Sequence, residues 1–173
     1  MFGICNLAII PLRAESSDRS EIVSQVLFGE HFEVLETLKQ WAKIRLQYDG
    51  YEGWVDVKQF QPITKDQYDH LSQEAIILNS DLVEYITSPN NLLMPIPLGA
   101  SLSFLNHADI NVSGFDFEGM RISGVKPKSN LINTSFMYLN APYLWGGKTP
   151  FGIDCSGFTQ MVYKLNGYHL LRD

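Results

Sequence analysis

The sequence predicts a mainly β protein with a smaller helical part, an α+β chain in which two small β-barrels precede a helical segment. Residues 3–62 contain short runs of alternating polar and apolar residues, which is the period of half-buried strands. Residues 76–127 have a similar β character, whereas apolar residues after 128 recur at spacings of three and four, as on a helix. We therefore predict a barrel over 1–62, a linker helix over 63–75, a second barrel over 76–127 and a helical segment over 128–173.

Five short strands and the turns between them predict the first barrel. A long polar loop covers 14–19, Gly29-Glu30 marks a turn, and Tyr48-Asp49-Gly50 has the composition of a hairpin turn. This strand number with a long first loop is typical of a small barrel. The predicted strands are Asn6–Ile10, Glu21–Phe28, His31–Glu36, Trp41–Leu46 and Glu52–Asp56.

Three motifs of this barrel resemble a bacterial SH3-like domain. They are Pro11-Leu12-Arg13 before the long loop, Gly29-Glu30 before a strand, and Trp41 followed by Gly53-Trp54-Val55. The resemblance implies the fold and says little about a ligand.

The middle of the chain predicts a short helix and a second barrel. Thr64 with Gln67 three residues later has the pattern of a capping box, which predicts the linker helix. Apolar runs over 75–78 and 92–98 are interpreted as strands of a second, divergent SH3-like barrel, and the polar segment 106–118 as an insertion in it.

Two helices are predicted in the last segment. The first opens at Ser129-Asn130 and ends at Asn140-Ala141-Pro142. The second begins at Asp154 or Cys155 and ends near Gly167. The predicted apolar faces are Ile132, Phe136 and Leu139 on the first helix and Phe158, Met161, Val162 and Leu165 on the second.

Cys155 is the candidate nucleophile because it lies where a glycine-rich loop meets the second helix. Free thiols titrate near ~8.5, and the positive end of a helix dipole favours the reactive thiolate. Backbone N–H groups at this end are available to an oxyanion, and Gly146-Gly147 lets main chain approach a substrate. Tyr143 and Trp145 supply a wall for that substrate. The alternative is that Cys155 is an inert buried cysteine.

The run from Tyr143 to Phe158 resembles the signature of the NlpC-type peptidases, which are papain-like cysteine hydrolases of bacterial cell-wall peptides. The shared positions include Tyr143, Trp145-Gly146-Gly147, Pro150 and Asp154-Cys155-Ser156-Gly157-Phe158. Two SH3-like modules upstream resemble the branch of γ-D-glutamyl-L-diamino-acid endopeptidases, which act on murein peptides with a free N-terminal L-Ala. The resemblance thus implies the N-terminal helical part of a papain-like peptidase domain over 128–173.

This resemblance implies roles for individual residues. Cys155 is expected to be the nucleophile, and Asp154 to meet the ammonium group of the substrate by a charge-assisted bond. Ser156 and Tyr143 are expected to line the same subsite. The first SH3-like module is expected to close that end of the groove.

Glu15 and Tyr51 are the candidate residues of that module. The alternative for Glu15 is a solvated loop charge, and for Tyr51 an aromatic residue at the rim of the barrel.

The chain departs from the family pattern in its histidines. The family places its base, a histidine, well downstream of the cysteine on a strand, and none of the four histidines matches that position. We therefore expect a truncated chain with little activity of its own. The apolar face of the second helix is then expected to be exposed, to pack on the second barrel, or to support self-association.

Composition excludes several other functions. A net charge of −6 gives no basic footprint for nucleic acid or anionic membranes. Two cysteines, Cys5 and Cys155, have no metal spacing, so we expect no metal and no cofactor. No signal peptide is recognised, which predicts a cytoplasmic protein. The competing hypothesis is a non-catalytic SH3-like module that binds wall peptides or a protein partner.

Overall fold

The computed structural model describes residues 1–107 and 114–172. The described chain is mostly β with three α-helices, which confirms the predicted α+β class. The segment 106–118, predicted to be an insertion, lies partly outside the described residues.

One antiparallel seven-stranded sheet forms the first module. Its strand order is β3-β2-β6-β5-β4-β1-β7. Alternating residues of these strands fill the core, among them Ile10 and Leu12 of one strand and Phe32 and Val34 of another. The strands are β1 Phe2–Ile4, β2 Ile9–Arg13, β3 Ile22–Leu27, β4 His31–Leu38, β5 Trp41–Leu46, β6 Glu52–Asp56 and β7 Gln61–Ile63.

Most of the predicted strands agree with this sheet. The first one, predicted over Asn6–Ile10, lies three residues later and runs through Pro11. Proline has no N–H to donate to a neighbouring strand, which β2 tolerates because it pairs along its length only with β3 and meets β6 only at Arg13. Pro11 therefore fits within the strand.

The second module begins after a short helix, α1 (Lys65–Gln73), whose start has the predicted capping box between Thr64 and Gln67. Its strands form two separate two-stranded sheets, β9–β10 and β8–β11. The β character is as predicted, while the two sheets are less continuous than the first barrel. The strands are β8 Ile77–Asn79, β9 Val83–Thr87, β10 Leu93–Pro97 and β11 Arg121–Ser123.

The two β modules share apolar contacts. Phe28, at the end of β3, lies in the same core cluster as Ile86 and Ile96 of the second module. Its ring meets that of Phe104 edge-on at 5.4 Å, and its carbonyl accepts a hydrogen bond from the Ser101 N–H at 2.7 Å. The modules therefore pack as neighbours over a common core.

The last segment contains α2 (Asn130–Phe136), the short pair β12 (Lys148–Thr149) and β13 (Gly152–Ile153), and α3 (Cys155–Leu165). Met161, Val162 and Leu165 of α3 are buried in one cluster with residues of both β modules, Leu27, Leu78 and Leu98. Among the described helices, none is long and apolar enough to span a membrane.

This packing corrects the expectation of self-association through the apolar face of α3. The face is covered by the β modules, and Phe158 at its start is 36% exposed. By contrast, the face predicted on α2 is open to solvent at Ile132, Phe136 and Leu139. The helix also ends earlier than predicted, at Phe136.

Candidate active site

Cys155 is the first residue of α3, and its side chain is exposed. The N-cap is Asp154, in an extended conformation, and its carboxylate accepts the Gly157 N–H at 2.7 Å. The first N–H groups of a helix have no partner within the helix. The structure therefore combines an accessible thiol with backbone donors and the positive end of a helix dipole.

The glycine-rich loop before β12 runs directly against β3 of the first barrel. Gly146 has a φ of 76°, and a Cβ on it would lie 2.4 Å from the Ile22 carbonyl oxygen. Only glycine fits both the left-handed conformation and this close approach. The Lys148 N–H donates to Oε1 of Gln25 at 2.7 Å, which fixes the loop on the barrel.

Trp145 is held by a second contact to the barrel. Its Nε1–H donates to Oε1 of Glu21 at 2.5 Å, and its side chain is otherwise exposed. Tyr143 is also exposed, and its backbone bridges Ile153, directly before Asp154. Both aromatic side chains are thus accessible on the segment that precedes β12, and their role as a substrate wall stays a prediction.

Asp154 is buried and bound by four strong donors. Its Oδ1 accepts from Gly157 N–H and from Arg172 Nη1 at 2.9 Å, and its Oδ2 accepts from Gly146 N–H at 2.8 Å and from Arg172 Nη2 at 2.7 Å. Burial by itself raises the pKa of Asp154, but these bonds outweigh burial and lower the pKa below its usual value. Asp154 is therefore an ionised carboxylate near neutral pH.

The other predicted subsite residues lie on different elements. Ser156 is in the first turn of α3, where its Oγ lies 3.4 Å from Asp154 Oδ1. Glu15 is exposed in the loop between β2 and β3, the loop that also holds Glu21. Tyr51 is half-buried before β6, where its N–H donates to Asp49 Oδ1. The binding roles of Ser156, Glu15 and Tyr51 stay predictions.

The four histidines have other contacts in the structure. His169 lies past the C-terminal end of α3, where Nε2 contacts the Tyr48 carbonyl oxygen. His31 is bound to Ser72 at 3.1 Å, and the rings of His70 and His107 stack at 6.2 Å. Within residues 1–107 and 114–172, no histidine is hydrogen-bonded to Cys155.

A buried ion cluster joins the first barrel to the peptidase-like segment. Glu30 accepts from Lys164 of α3 at 2.5 Å and from Lys148 of β12 at 3.3 Å. Burial alone raises the pKa of Glu30, but the two ammonium groups and the Leu27 N–H lower it to about 2. Burial lowers the pKa of Lys148, and the negative charge of Glu30 opposes this shift.

Two cavities lie beside this cluster rather than at the thiol. One, of about 120 Å³, is lined by Glu30, His31 and Lys164, and a second, of about 250 Å³, also reaches Lys164. At roughly 1.5 Å per residue, Lys164 lies about 13 Å along the helix axis from Cys155. Neither of these two cavities is lined by Cys155.

Arg172, and the residues in and just before β3 that contact the last segment, are functional candidates that the sequence did not indicate. Arg172 binds Asp154, Ser156 and Ser24, and Glu21 and Gln25 hold the loop. Their partners are more than 100 residues away for three of these contacts. In the described part of the chain no cluster of three His, Cys, Asp or Glu side chains has metal-binding geometry.

An exposed thiol at a helix N-terminus, beside a glycine-rich loop, is the arrangement expected of the nucleophile half of a cysteine hydrolase. Comparison with known families agrees with this class. Residues 12–60 match the bacterial dipeptidyl-peptidase Sh3 domain, and residues 140–173 match the NlpC/P60 family. The matches to the NlpC/P60 family and to an SH3 domain of the dipeptidyl-peptidase type indicate a hydrolase of the peptidase class.

Individual relatives extend the match over almost the whole chain. Dipeptidyl-peptidase 6 of Lysinibacillus sphaericus is 26% identical over 94% of this chain and 68% of its own length. The γ-D-glutamyl-L-lysine dipeptidyl-peptidase of Bacillus subtilis is 31% identical over 88% of this chain and 56% of its own length. The chain thus spans between about half and two thirds of these relatives.

A solved structure supports the fold. An NlpC/P60 family protein from Bacillus cereus superposes with a TM-score of 0.80 at 18% identity, over 100% of this chain and 75% of its own. At this identity the likeness shows the arrangement of the modules and not the substrate.

Proposed function

We propose that the protein is a cysteine endopeptidase of bacterial cell-wall peptides. The observation that carries the proposal is the exposed Cys155 at the start of α3, beside a glycine loop that packs on the first barrel. The Cys155 thiolate attacks the scissile carbonyl carbon and forms an acyl-enzyme, while N–H groups of the first turn stabilise the oxyanion. The leaving amine takes the proton that the general base removed from the thiol, and water then hydrolyses the thioester to release the peptide acid and the free thiol.

The proposed substrate is a murein peptide with a free N-terminal L-Ala, cleaved after γ-D-Glu. The relative from Bacillus subtilis is named for this linkage and for release of a dipeptide. A dipeptidyl-peptidase removes two residues from the amino end of a peptide, so its site must recognise the terminal ammonium group. A carboxylate binds this group by a charge-assisted hydrogen bond. Glu15, exposed in the loop between β2 and β3, is one candidate. Asp154 is the other, and it would exchange one of its bonds to Arg172 for a bond to the ammonium group.

A general base completes the proposal. None of the described histidines contacts Cys155, and a positioned base typically contributes about 10²–10⁴-fold to such a reaction. We propose that the base is a histidine that is not among these 173 residues. The 173 residues alone are then expected to turn over peptide more slowly than a complete protein by about that factor.

Replacement of the thiol tests the proposal. We expect Cys155→Ala in the complete protein to abolish release of L-Ala-γ-D-Glu from tripeptides that end in L-Lys or meso-diaminopimelate, measured by chromatography. Cys5→Ala is the matched control, because Cys5 is buried in the barrel core, and it should retain turnover. Undiminished hydrolysis by the Cys155→Ala protein would exclude the mechanism.

The absence of a base contact to Cys155 in the described part favours one alternative, a binding module without turnover. Calorimetry of the Cys155→Ala protein with the tripeptides measures binding by itself. Binding without hydrolysis by any form of the protein would favour the module.

Location and pathway belong to the same proposal. Wall fragments with a free L-Ala are products of earlier cleavage, and we propose that the protein degrades them in the cytoplasm during peptidoglycan recycling. Cell fractionation followed by immunodetection checks this, and recovery in the wall fraction would oppose it.

A further inference from the structure

Arg172 makes a buried contact to the residue that precedes the nucleophile. The side chain is 2% exposed, and its two terminal nitrogens bind the two oxygens of Asp154 at 2.9 and 2.7 Å. The guanidinium also donates to Ser156 Oγ, and its Nε donates to Ser24 Oγ at 3.2 Å. This fork-to-fork geometry is the strongest form of an Arg–carboxylate pair.

The contact completes the hydrogen bonding of Asp154. A carboxylate offers about four acceptor positions. Two of those on Asp154 are taken by the N–H groups of Gly146 and Gly157, and the other two by Arg172. The same carboxylate therefore holds the glycine loop, the first turn of α3 and the guanidinium together.

The charge of Asp154 has a cost for its neighbour. An anionic side chain directly before Cys155 disfavours a second negative charge on the thiolate. A guanidinium bound to both oxygens cancels that charge without moving the carboxylate from its role as N-cap. Lys148 does not serve this purpose, because its ammonium group is bound to Glu30.

We propose that Arg172 is a positioning and charge-balancing residue for Cys155: it fixes the N-cap of α3 and neutralises Asp154 so that the thiolate forms beside it. The proposal rests on the proposed role of Cys155 as nucleophile. It is tested without peptide, so a wrong substrate assignment leaves the test intact.

The test measures the rate at which iodoacetamide alkylates Cys155 at neutral pH in the 173-residue chain, by mass spectrometry. We expect Arg172→Met to slow alkylation about tenfold, the effect of one uncompensated unit charge nearby. The double variant Asp154→Asn with Arg172→Met should return to within about threefold of the parent, because both charges are removed. A purely structural role predicts the opposite, since the double variant loses more contacts than the single one.

Two further variants separate charge from geometry. Arg172→Lys keeps the charge and loses the fork, so it should alkylate within about threefold of the parent and melt at a lower temperature. Arg121→Met is the matched control, since Arg121 binds Phe117 in the second module, and it should leave the rate unchanged.

Circular dichroism shows which variants fold before the rates are compared. An unchanged rate in folded Arg172→Met, or a double variant as slow as the single one, would overturn the proposal. If Arg172→Met does not fold, Arg172→Lys decides: a tenfold loss with the charge retained overturns it as well.

Discussion

The two cysteines of this chain differ in exposure and therefore in expected reactivity. Cys5 and Cys155 are both free, yet Cys5 is 1% exposed in the barrel and Cys155 is on the surface. Burial raises the pKa of the Cys5 thiol, because the thiolate would lose its hydration. The same residue type is thus an apolar core residue in one place and a candidate nucleophile in the other.

We expect iodoacetamide to modify Cys155 at least about tenfold faster than Cys5 in the folded protein, because Cys155 is accessible to the reagent and burial raises the pKa of the Cys5 thiol. Peptide mapping by mass spectrometry measures both sites in one sample. In urea the two rates should converge. Equal rates in the folded protein would mean that Cys155 is not the more reactive thiol.

His31 predicts how stability depends on pH. Burial lowers the pKa of His31 to about 4, with Glu30 opposing and Lys164 adding to the effect. Its Nε2 lies 3.1 Å from Ser72 Oγ, which donates to the Tyr68 carbonyl oxygen, so Nε2 carries the hydrogen of a neutral ring. Between the reference value of 6.5 and about 4, the unfolded chain binds the proton and the folded chain does not.

The free energy of unfolding should therefore fall by about 2–3 kcal/mol through His31 as the pH falls from 6.5 to 4, and His31→Gln should remove this part of the slope. Urea unfolding at several pH values measures the difference between the two proteins. His70→Gln, at an exposed position, is the control. Parallel curves for parent and His31→Gln would contradict the assignment.

At the scale of elements, the sequence predicted those whose signals are local. The capping box of α1, the turn at Gly50 and the start of α3 each depend on residues a few positions apart, and each is confirmed. The three-residue strands β1 and β7 were missed, because so short a run has no periodicity of its own. They pair with each other and β1 pairs with β4, so long-range contacts create them.

Helix α2 shows that apolar spacing alone does not predict which face of a helix is buried. Its apolar spacing predicted a buried face, yet Ile132, Phe136 and Leu139 are exposed and Thr134 is buried. Thr134 and Asn130 hydrogen-bond Asn166 at the end of α3, so polar pairs hold the two helices together. Periodicity shows which residues share a face and does not show what covers it.

In the candidate site, too, the local motif was predictable from the sequence and the long-range contacts were not. Cys155, Asp154 and Ser156 form a contiguous motif that the sequence reveals. Glu21 and Ser24 reach the site only because the barrel packs on the last segment, and Arg172 reaches it through its bonds to Asp154, 18 residues earlier. A sequence without aligned relatives has no signal for such pairs.

On the scale of the whole molecule, the Glu30 cluster holds the barrel on the peptidase segment. We expect Glu30→Gln to lower the free energy of unfolding by about 3–5 kcal/mol, because it leaves two buried ammonium groups without a carboxylate. Urea unfolding measures this. Glu33→Gln is the matched control, since Glu33 pairs with Arg45 at the surface at 3.7 Å, and should cost at most about 1 kcal/mol.

The pH dependence of this cluster has a defined sign. The pKa of Glu30 is about 2 in the folded protein against 4.5 as reference, so its contribution is complete above 4.5 and is lost as the pH falls towards 2. Parent and Glu30→Gln should therefore converge in stability over that range. A constant difference down to pH 2 would contradict the role of the charge.

The contacts of β3 also limit how the chain can be recombined. Ser24 and Gln25 from the strand, with Glu30 from the turn after it, bind Arg172 and Lys148 on the other side of the junction. A chimaera that replaced the barrel by an SH3 domain lacking these three side chains would leave a buried guanidinium and a buried ammonium group short of acceptors. Barrel and peptidase segment are therefore expected to be inherited as a matched pair.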